Sequence, residues 1–519
     1  MKLTFSDYKD KLRGCWLGKN IGGVLGAPFE GKRAVFDVNF YTQDLNGDPP
    51  PNDDLDLQLV WLNAVEKYGR HTNASILGEY WLSFIIPNWV EYGSGKNNLK
   101  MGLVPPLSGH VENPYKDSCG CFIRSEIWAC LAPGRPELAV RYAYEDAIVD
   151  HSSEGLYGEI FCAAVQSAAF IEKDKNKLID IGLSYIPEDC GVTKGIKAAI
   201  EAFKSGVDFK EARKRVMAVV PGTFGVQGTP LVDLPSDVPV GKPGYDAPSN
   251  IGITIIGWLY GEDDFGKSLC IANNCGEDTD CTCATLGAIL GIIHGAKGIP
   301  EKWINPIGDK ISTCCINKLN GGLSIPETVT ELTDRILRLT PSFLGSKFCD
   351  ILAGPEGYTI EVLEGEELYC PKGDIYIPGI NGGGKSPEPQ IHELLQRSPY
   401  AVSYHFPAFN AVLDYMGEPY IKNNESKKLR LIISDSCLLG DQPHQWLSVK
   451  WYAPEGVKLL TGKECSFFLQ TTYRNKVELD FEILAENFSG NKVEMLIDIS
   501  SNGRHSNGII KVILIPRIK

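Results

Sequence analysis

The chain has 519 residues, more than one hydrophobic core usually serves, so at least two domains are expected. Hydrophobic residues make up 43% and charged residues 22%, the usage of ordinary globular proteins, which excludes wholesale disorder. A formal net charge of −14, with no basic stripe to offset it locally, excludes broad nucleic-acid binding.

The N-terminus, MKLTFSDYKDKLRGCWLGK, mixes charges of both signs and lacks the apolar run and small-residue cleavage site of a signal peptide. The best membrane-span candidate, 281–296, is too short, is Gly-rich and contains His294, so no membrane association is expected. With 16 cysteines and no signal, reduced thiols and a cytoplasmic location are the expectation. The pairs Cys119/Cys121 and Cys281/Cys283 and the doublet Cys314/Cys315 lack the paired spacing of a structural zinc site.

Up to about residue 340 apolar residues recur at helical spacing between short Gly/Pro breaks. Helices are predicted over 57–69, 137–151, 158–173, 193–206 and 283–298. In the last, Gly287, Gly291 and Gly295 recur every four residues and line one face, where a neighbouring backbone can approach closely. After about 345 the period becomes two, as in Val477, Leu479, Phe481 and Ile483 alternating with Glu478, Asp480 and Glu482. Further strands are predicted over 428–434, 444–453, 492–500 and 508–516, giving an all-α domain over 1–343 and a β-sandwich-like accessory domain over 344–519. NGGGK (381–385) lacks P-loop spacing and reads as a loop. Trp446, Trp451, Tyr452 and Tyr473 form either a carbohydrate platform or, more commonly for strands, core and cross-strand pairs. The accessory domain caps a cleft or mediates homo-oligomer formation; the pattern leaves both open.

Two acidic strings carry the candidate chemistry. PNDDLDLQLVWL sets Asn52 before a helix with Asp53, Asp54 and Asp56 in its first turn. Capping explains one or two of these acids, but three buried carboxylates in four residues need raised pKa values or a cation. CGEDTDCTCATLGAILG repeats the arrangement with Glu277, Asp278 and Asp280, and Asp-x-Asp in a turn can point two carboxylates at one Mg²⁺ or Mn²⁺. If the two helix starts converge, four to five carboxylates meet, enough for a pair of divalent ions.

Over residues 10–305 the chain resembles the ADP-ribosylglycohydrolase family. GCWLGKNIGGVLGAPFE (Gly14 to Glu30) follows the family's opening GxxxGxxxGDxxGxPxE, and Asn52-Asp53-Asp54 matches both acids of its Thr/Ser-Asp-Asp motif. Gly120 to Arg124 looks like its GxxMR segment and Asp150-His151 like its Thr-His. Gly276 to Cys281 looks like its GGDTDT helix start, and Ile299 to Trp303 like its IPxxW segment.

The resemblance implies an all-α globule with a magnesium centre of one or two ions that hydrolyses a glycosidic bond at ribose. Asn52, Asp53, Asp54, Asp278, Asp280 and Cys281 fall at its metal positions, and Asp56 lies outside the matched motif. Glu30 or Asp54 is the implied base, Glu30 being equally readable as a solvated loop acid. Gly120, Arg124 and His151 are implied to bind substrate; a surface ion pair for Arg124 and a helix cap or hydrogen-bonded core position for His151 are the alternatives. The substrate is expected to be ADP-ribosylated protein or a smaller ribosyl metabolite. A nucleotide- or glycan-binding protein that keeps the cleft without turnover is the alternative.

Three positions depart from the family pattern. Asn52 replaces a hydroxyl residue, but its amide oxygen can still coordinate Mg²⁺. Cys281 replaces another, and a thiol is a poor partner for a hard ion. Gly23 stands where the family usually has Asp.

Overall fold

A computed structural model of the chain describes all residues except 221, 223–243, 320, 353–356, 372–375, 378–383, 386–388, 436–443, 471–475, 487 and 518–519. The first compact unit comprises 1–99 and 112–370, the second 100–111 and 371–519.

The first unit is helical, as its period requires. The predicted helices form over Asp53–Tyr68, Pro136–Ala147, Ser153–Ala169, Gly191–Lys204 and Thr279–His294, the last ending where Gly295 takes a φ of 70°. At its centre Phe5–Gly26 and Thr279–His294 run antiparallel along a seam of small residues. A Cβ on Gly14, Gly18 or Gly22 would overlap the backbone carbonyl of Gly291, Gly287 or Cys283 respectively. Glycine is therefore required on both sides at the first two crossings, which offsets its helix-propensity cost of about 1 kcal/mol per residue. The face predicted from Gly287 and Gly291 is this contact, and its partner is the first helix.

The second unit is a sandwich of two five-stranded sheets. One runs Glu464–Leu469, Gln445–Tyr452, Val493–Ser501, Asn507–Pro516 and Tyr420–Ile421; the other runs Val457–Leu459, Lys476–Ala485, Ser426–Asp435, Phe409–Asp414 and Ala401–His405. All neighbours are antiparallel except Tyr420–Ile421 with Asn507–Pro516. Alternate residues such as Leu429, Leu431 and Ile433 or Val449 and Trp451 point inward into one core. Trp451 is therefore a core residue, whereas Trp446 and Tyr452 face outward with Trp446 tilted against Phe468. Tyr473 and residues 381–383 lie outside the described residues; Gly384–Lys385 forms a short strand paired with Tyr376–Ile377 rather than loop.

The boundary differs from the predicted 343/344 in two respects. Residues beyond 344 return to the helical unit because Thr359–Glu361 pairs with Lys2–Thr4 on one side and Cys349–Asp350 on the other in a three-stranded sheet, which also makes the first unit not purely α. Residues 100–111 join the sandwich because Leu103, Leu107 and Val111, spaced four apart, are buried in its core. Gly18→Ala is expected to force the two central helices apart and destabilise the protein by about 3 kcal/mol, the upper range for overpacking, read as a lowered denaturant midpoint.

Candidate metal centre

The antiparallel seam sets the end of the first helix beside the start of Thr279–His294. A Cβ on Gly26 would overlap the backbone of Asp280, and the Thr279 hydroxyl donates to the Gly26 carbonyl at 2.8 Å. Glu30 follows one 3₁₀ turn later. The second helix starts nearby with Asn52 as its cap: its Oδ1 accepts the Asp54 N–H at 2.7 Å, and its Nδ2 donates to Asp280 Oδ2 at 3.3 Å. One amide thus ties both acid-headed turns together. A Cβ on Gly23 would lie 2.9 Å from Asn52 Nδ2, so two of the departures are one device, in which glycine leaves the room that the asparagine amide fills.

Around this bridge the predicted acids converge. Metal-ligating atoms of Asp54, Asp280 and Cys281 lie within 4.8 Å of one another, as do those of Glu30, Asp278 and Asp280, so Asp280 belongs to both groups. Asp53 stands beside them and accepts from the Tyr92 hydroxyl at 3.1 Å. The Cys281 thiol donates to Asp54 Oδ1 at 3.5 Å. The Asp278 backbone N–H is held by Asn250 Oδ1 at 3.0 Å.

The electrostatics show a deficit of positive charge. Asp54 Oδ2, Asp278 Oδ1 and Asp280 Oδ1 are buried without hydrogen-bond partners. Burial raises the carboxyls of Asp54, Asp278 and Asp280 above the usual range, reinforced by neighbouring acids at Asp54 and Asp278. Asp53 is pushed up to about 6 by burial and the charge of Asp280. Glu30 is exposed, so it is chiefly the charge of Asp280 that pushes it up to about 9. Buried oxygens without donors, crowded and reluctant to ionise, suit a hard divalent cation.

Among the described residues Lys19 is a buried cation in contact with these acids, and sequence reasoning missed it. Lys19, on the first helix, contacts Glu126 Oε1 at 3.2 Å and Asp54 Oδ2 at 3.8 Å, and donates to the Ile123 carbonyl. Burial alone would lower its pKa, but Glu126 and Asp54 hold it above the usual lysine value. Asp54 is raised despite this ammonium, because burial and the neighbouring acids outweigh one cation; Lys19 stays charged and Asp54 remains under-compensated. Gln58 and Gln166 donate to Glu126, completing a buried polar layer beneath the acids. The signal for Lys19 was a lysine on an otherwise small and apolar helix face.

The residues implied to bind substrate have a different setting. Arg124 is fully buried: its Nε donates to Asp146 at 2.8 Å, and its Nη groups donate to the Gly120 carbonyl at 2.7 Å and Asp150 at 2.5 Å. It has no surface to offer a phosphate, and the ion pairs it makes are buried rather than at the surface. His151 is also fully buried, with Nε2 2.7 Å from Ser118 Oγ and Nδ1 2.9 Å from Asp150 Oδ1. This serine-histidine-aspartate set is sealed inside and serves as scaffold. Gly120 is buried where the Glu91 carboxylate fills the place of a Cβ. All three order the 118–124 segment. Glu277, likewise, is held by Arg33 at 2.9 Å and Arg213 at 3.4 Å and so supports the turn before Asp278. Asp56 faces away from the group, accepting the backbone N–H groups of Cys314 and Cys315. A cavity of about 710 Å³, lined by residues such as Phe209, Tyr260 and Trp303, does not include these acids.

Glu91 generates a pH prediction. Burial, aided by Asp150, raises its carboxyl from 4.5 to about 7, so the folded state binds this proton more tightly than the unfolded state. Its stabilising contribution is complete below about 4.5 and lost as pH rises through about 7. Glu91→Gln should reduce the loss of unfolding free energy over that window by on the order of 3 kcal/mol, checked by denaturant melts at stepped pH.

No curated protein matches. Among solved structures, an ADP-ribosylglycohydrolase-related protein complex aligns at 16% identity with a TM-score of 0.43, covering 65% of this chain and 100% of that one. A conjugative transposon lipoprotein from Bacteroides eggerthii aligns at 9% identity with a TM-score of 0.14, covering 21% of this chain and 92% of that one. Neither likeness bears on activity. The family model for ADP-ribosylglycohydrolase matches residues 4–341, which span the helical unit's seam and both acid-headed helices. The chain belongs to the ADP-ribosylglycohydrolase family.

Proposed function

We propose that the protein is a metal-dependent hydrolase that cleaves the glycosidic bond of an ADP-ribosyl, ribosyl or related sugar substrate, a small metabolite being preferred. The observation that carries this reading is the meeting of Asp53, Asp54, Asp278 and Asp280 around Asn52, with three buried oxygens lacking donors.

These four acids, with the Asn52 amide oxygen, would hold Mg²⁺ or Mn²⁺, as one or two ions. When bound, such a cation supplies charge that anchors sugar hydroxyls and makes water more acidic. Cys281 is assigned as the thiol donor to Asp54, since a thiol suits a hard ion poorly. Tyr92 and Lys19 fix Asp53 and Asp54 respectively from the protein side.

Glu30 is the one exposed carboxyl of the group, so it is the one that water and substrate reach. We assign it rather than Asp54 as the base. Its proton is retained to about 9 while the charge of Asp280 is uncompensated; compensating that charge frees the carboxylate near neutrality. The water oxygen bonds to the anomeric carbon, the bond to the leaving group breaks, and Glu30 takes the water's proton.

Incubating the protein with Mg²⁺ or Mn²⁺ and a panel of ADP-ribosyl, nucleoside and glycoside substrates should release free sugar. Asp54→Asn and Asp278→Asn should each lower turnover at least about a thousandfold, the scale of losing a principal electrostatic group. Release that persists in either variant, or without divalent cation, would sink the assignment; saturable binding of a substrate without release would make the protein a binding protein.

A further inference from the structure

We propose that Cys314, Cys315 and Asp56 form a second metal site, selective for a thiophilic divalent cation of the zinc type and separate from the acid centre. The two sulfurs are 3.6 Å apart. Two thiolates on one tetrahedral zinc, with Zn–S of about 2.3 Å, stand about 3.8 Å apart, so the doublet already has nearly the required span. A shared S–H···S contact also explains that distance, but it leaves Asp56 unexplained. Asp56 is fully buried; its Oδ2 accepts the N–H groups of Cys314 at 2.7 Å and Cys315 at 2.6 Å, while Oδ1 has no partner. One ligating atom from each of the three residues lies within 4.8 Å of the other two.

The backbone holds this arrangement before any ion arrives. The Cys315 carbonyl accepts the Ile86 N–H at 2.8 Å, and the Asn317 N–H donates to the Phe84 carbonyl at 2.7 Å. Burial raises the Asp56 carboxyl to about 7, and the charge of Lys318 opposes that rise, offsetting part of the excess negative charge of two thiolates and a carboxylate. Cys314 is exposed, which supplies an entry path and a coordination position open to water. As the ion binds, each thiol exchanges its proton for a bond to the metal and releases that proton to solvent. Two sulfur ligands favour Zn²⁺ or Cd²⁺ over Mg²⁺, so the site does not compete with the oxygen-lined acid centre. An ion here would clamp the first turn of the Asp53–Tyr68 helix to the 314–317 segment, joining residues 258 positions apart.

The proposal does not depend on the hydrolase reading. Cd²⁺ is titrated into the metal-free full-length protein in excess Mg²⁺, following the ultraviolet thiolate-to-cadmium charge-transfer band and the thermal midpoint. A single equivalent should saturate the band and raise the midpoint. Cys314→Ser, at an exposed position that tolerates the change, should abolish both effects. Asp56→Asn, whose amide oxygen still accepts the two N–H groups, should weaken cadmium affinity about tenfold or more. Asp278→Asn should retain the band. Absence of a band at stoichiometric Cd²⁺, or a band unchanged in Cys314→Ser, overturns the proposal.

Discussion

The contact between two glycine-faced helices is the constraint on which the site depends. Backbone meets backbone at Gly14, Gly18 and Gly22, so Phe5–Gly26 and Thr279–His294 lie closer than side chains would permit. Because they run antiparallel, the closeness is delivered at the end that matters: Gly26 against Asp280, with Glu30 just beyond. The seam is where two remote stretches of chain are brought to hydrogen-bonding distance. Asn52 then links the second helix to Asp280 through the room left at Gly23.

That closeness has an electrostatic cost. It gathers Asp53, Asp54, Asp278 and Asp280 in and around a largely buried space where Lys19 is the cation that contacts one of them, and it leaves three oxygens without donors. The layer beneath is satisfied, with Glu126 taking Lys19, Gln58 and Gln166. Within this cluster the imbalance therefore remains among the acids above that layer. Under-compensated buried carboxyls crowded together from two remote stretches of chain suit a divalent cation, which the family generally binds.

The legible parts of the sequence were those with a short-range rule. Helix and strand periods gave both architectures, and Gly287 and Gly291 announced a close backbone contact, although not its partner, the first helix. Two acid strings ahead of helices were visible as caps with an excess of charge. What the sequence could not show was long-range burial. Arg124 and His151 each left a substrate contact and a structural role open until Asp146, Asp150 and Ser118 were placed around them. Lys19 and Glu126 are 107 residues apart and carry no local sign of pairing. The domain boundary was misplaced for the same reason, since the pairing of Thr359–Glu361 with Lys2–Thr4 spans the whole helical unit.

The central claim is that acids from the two helix starts hold one divalent centre together. Mn²⁺ titration followed by electron paramagnetic resonance, on the wild type and on Asp280→Asn, tests it most directly, because Asp280 belongs to both ligand groups and also binds Asn52. The account predicts saturable binding of one or two ions by the wild type and its loss in the variant, with the fold retained by circular dichroism. Absence of saturable binding, or equal binding by both proteins, would contradict it.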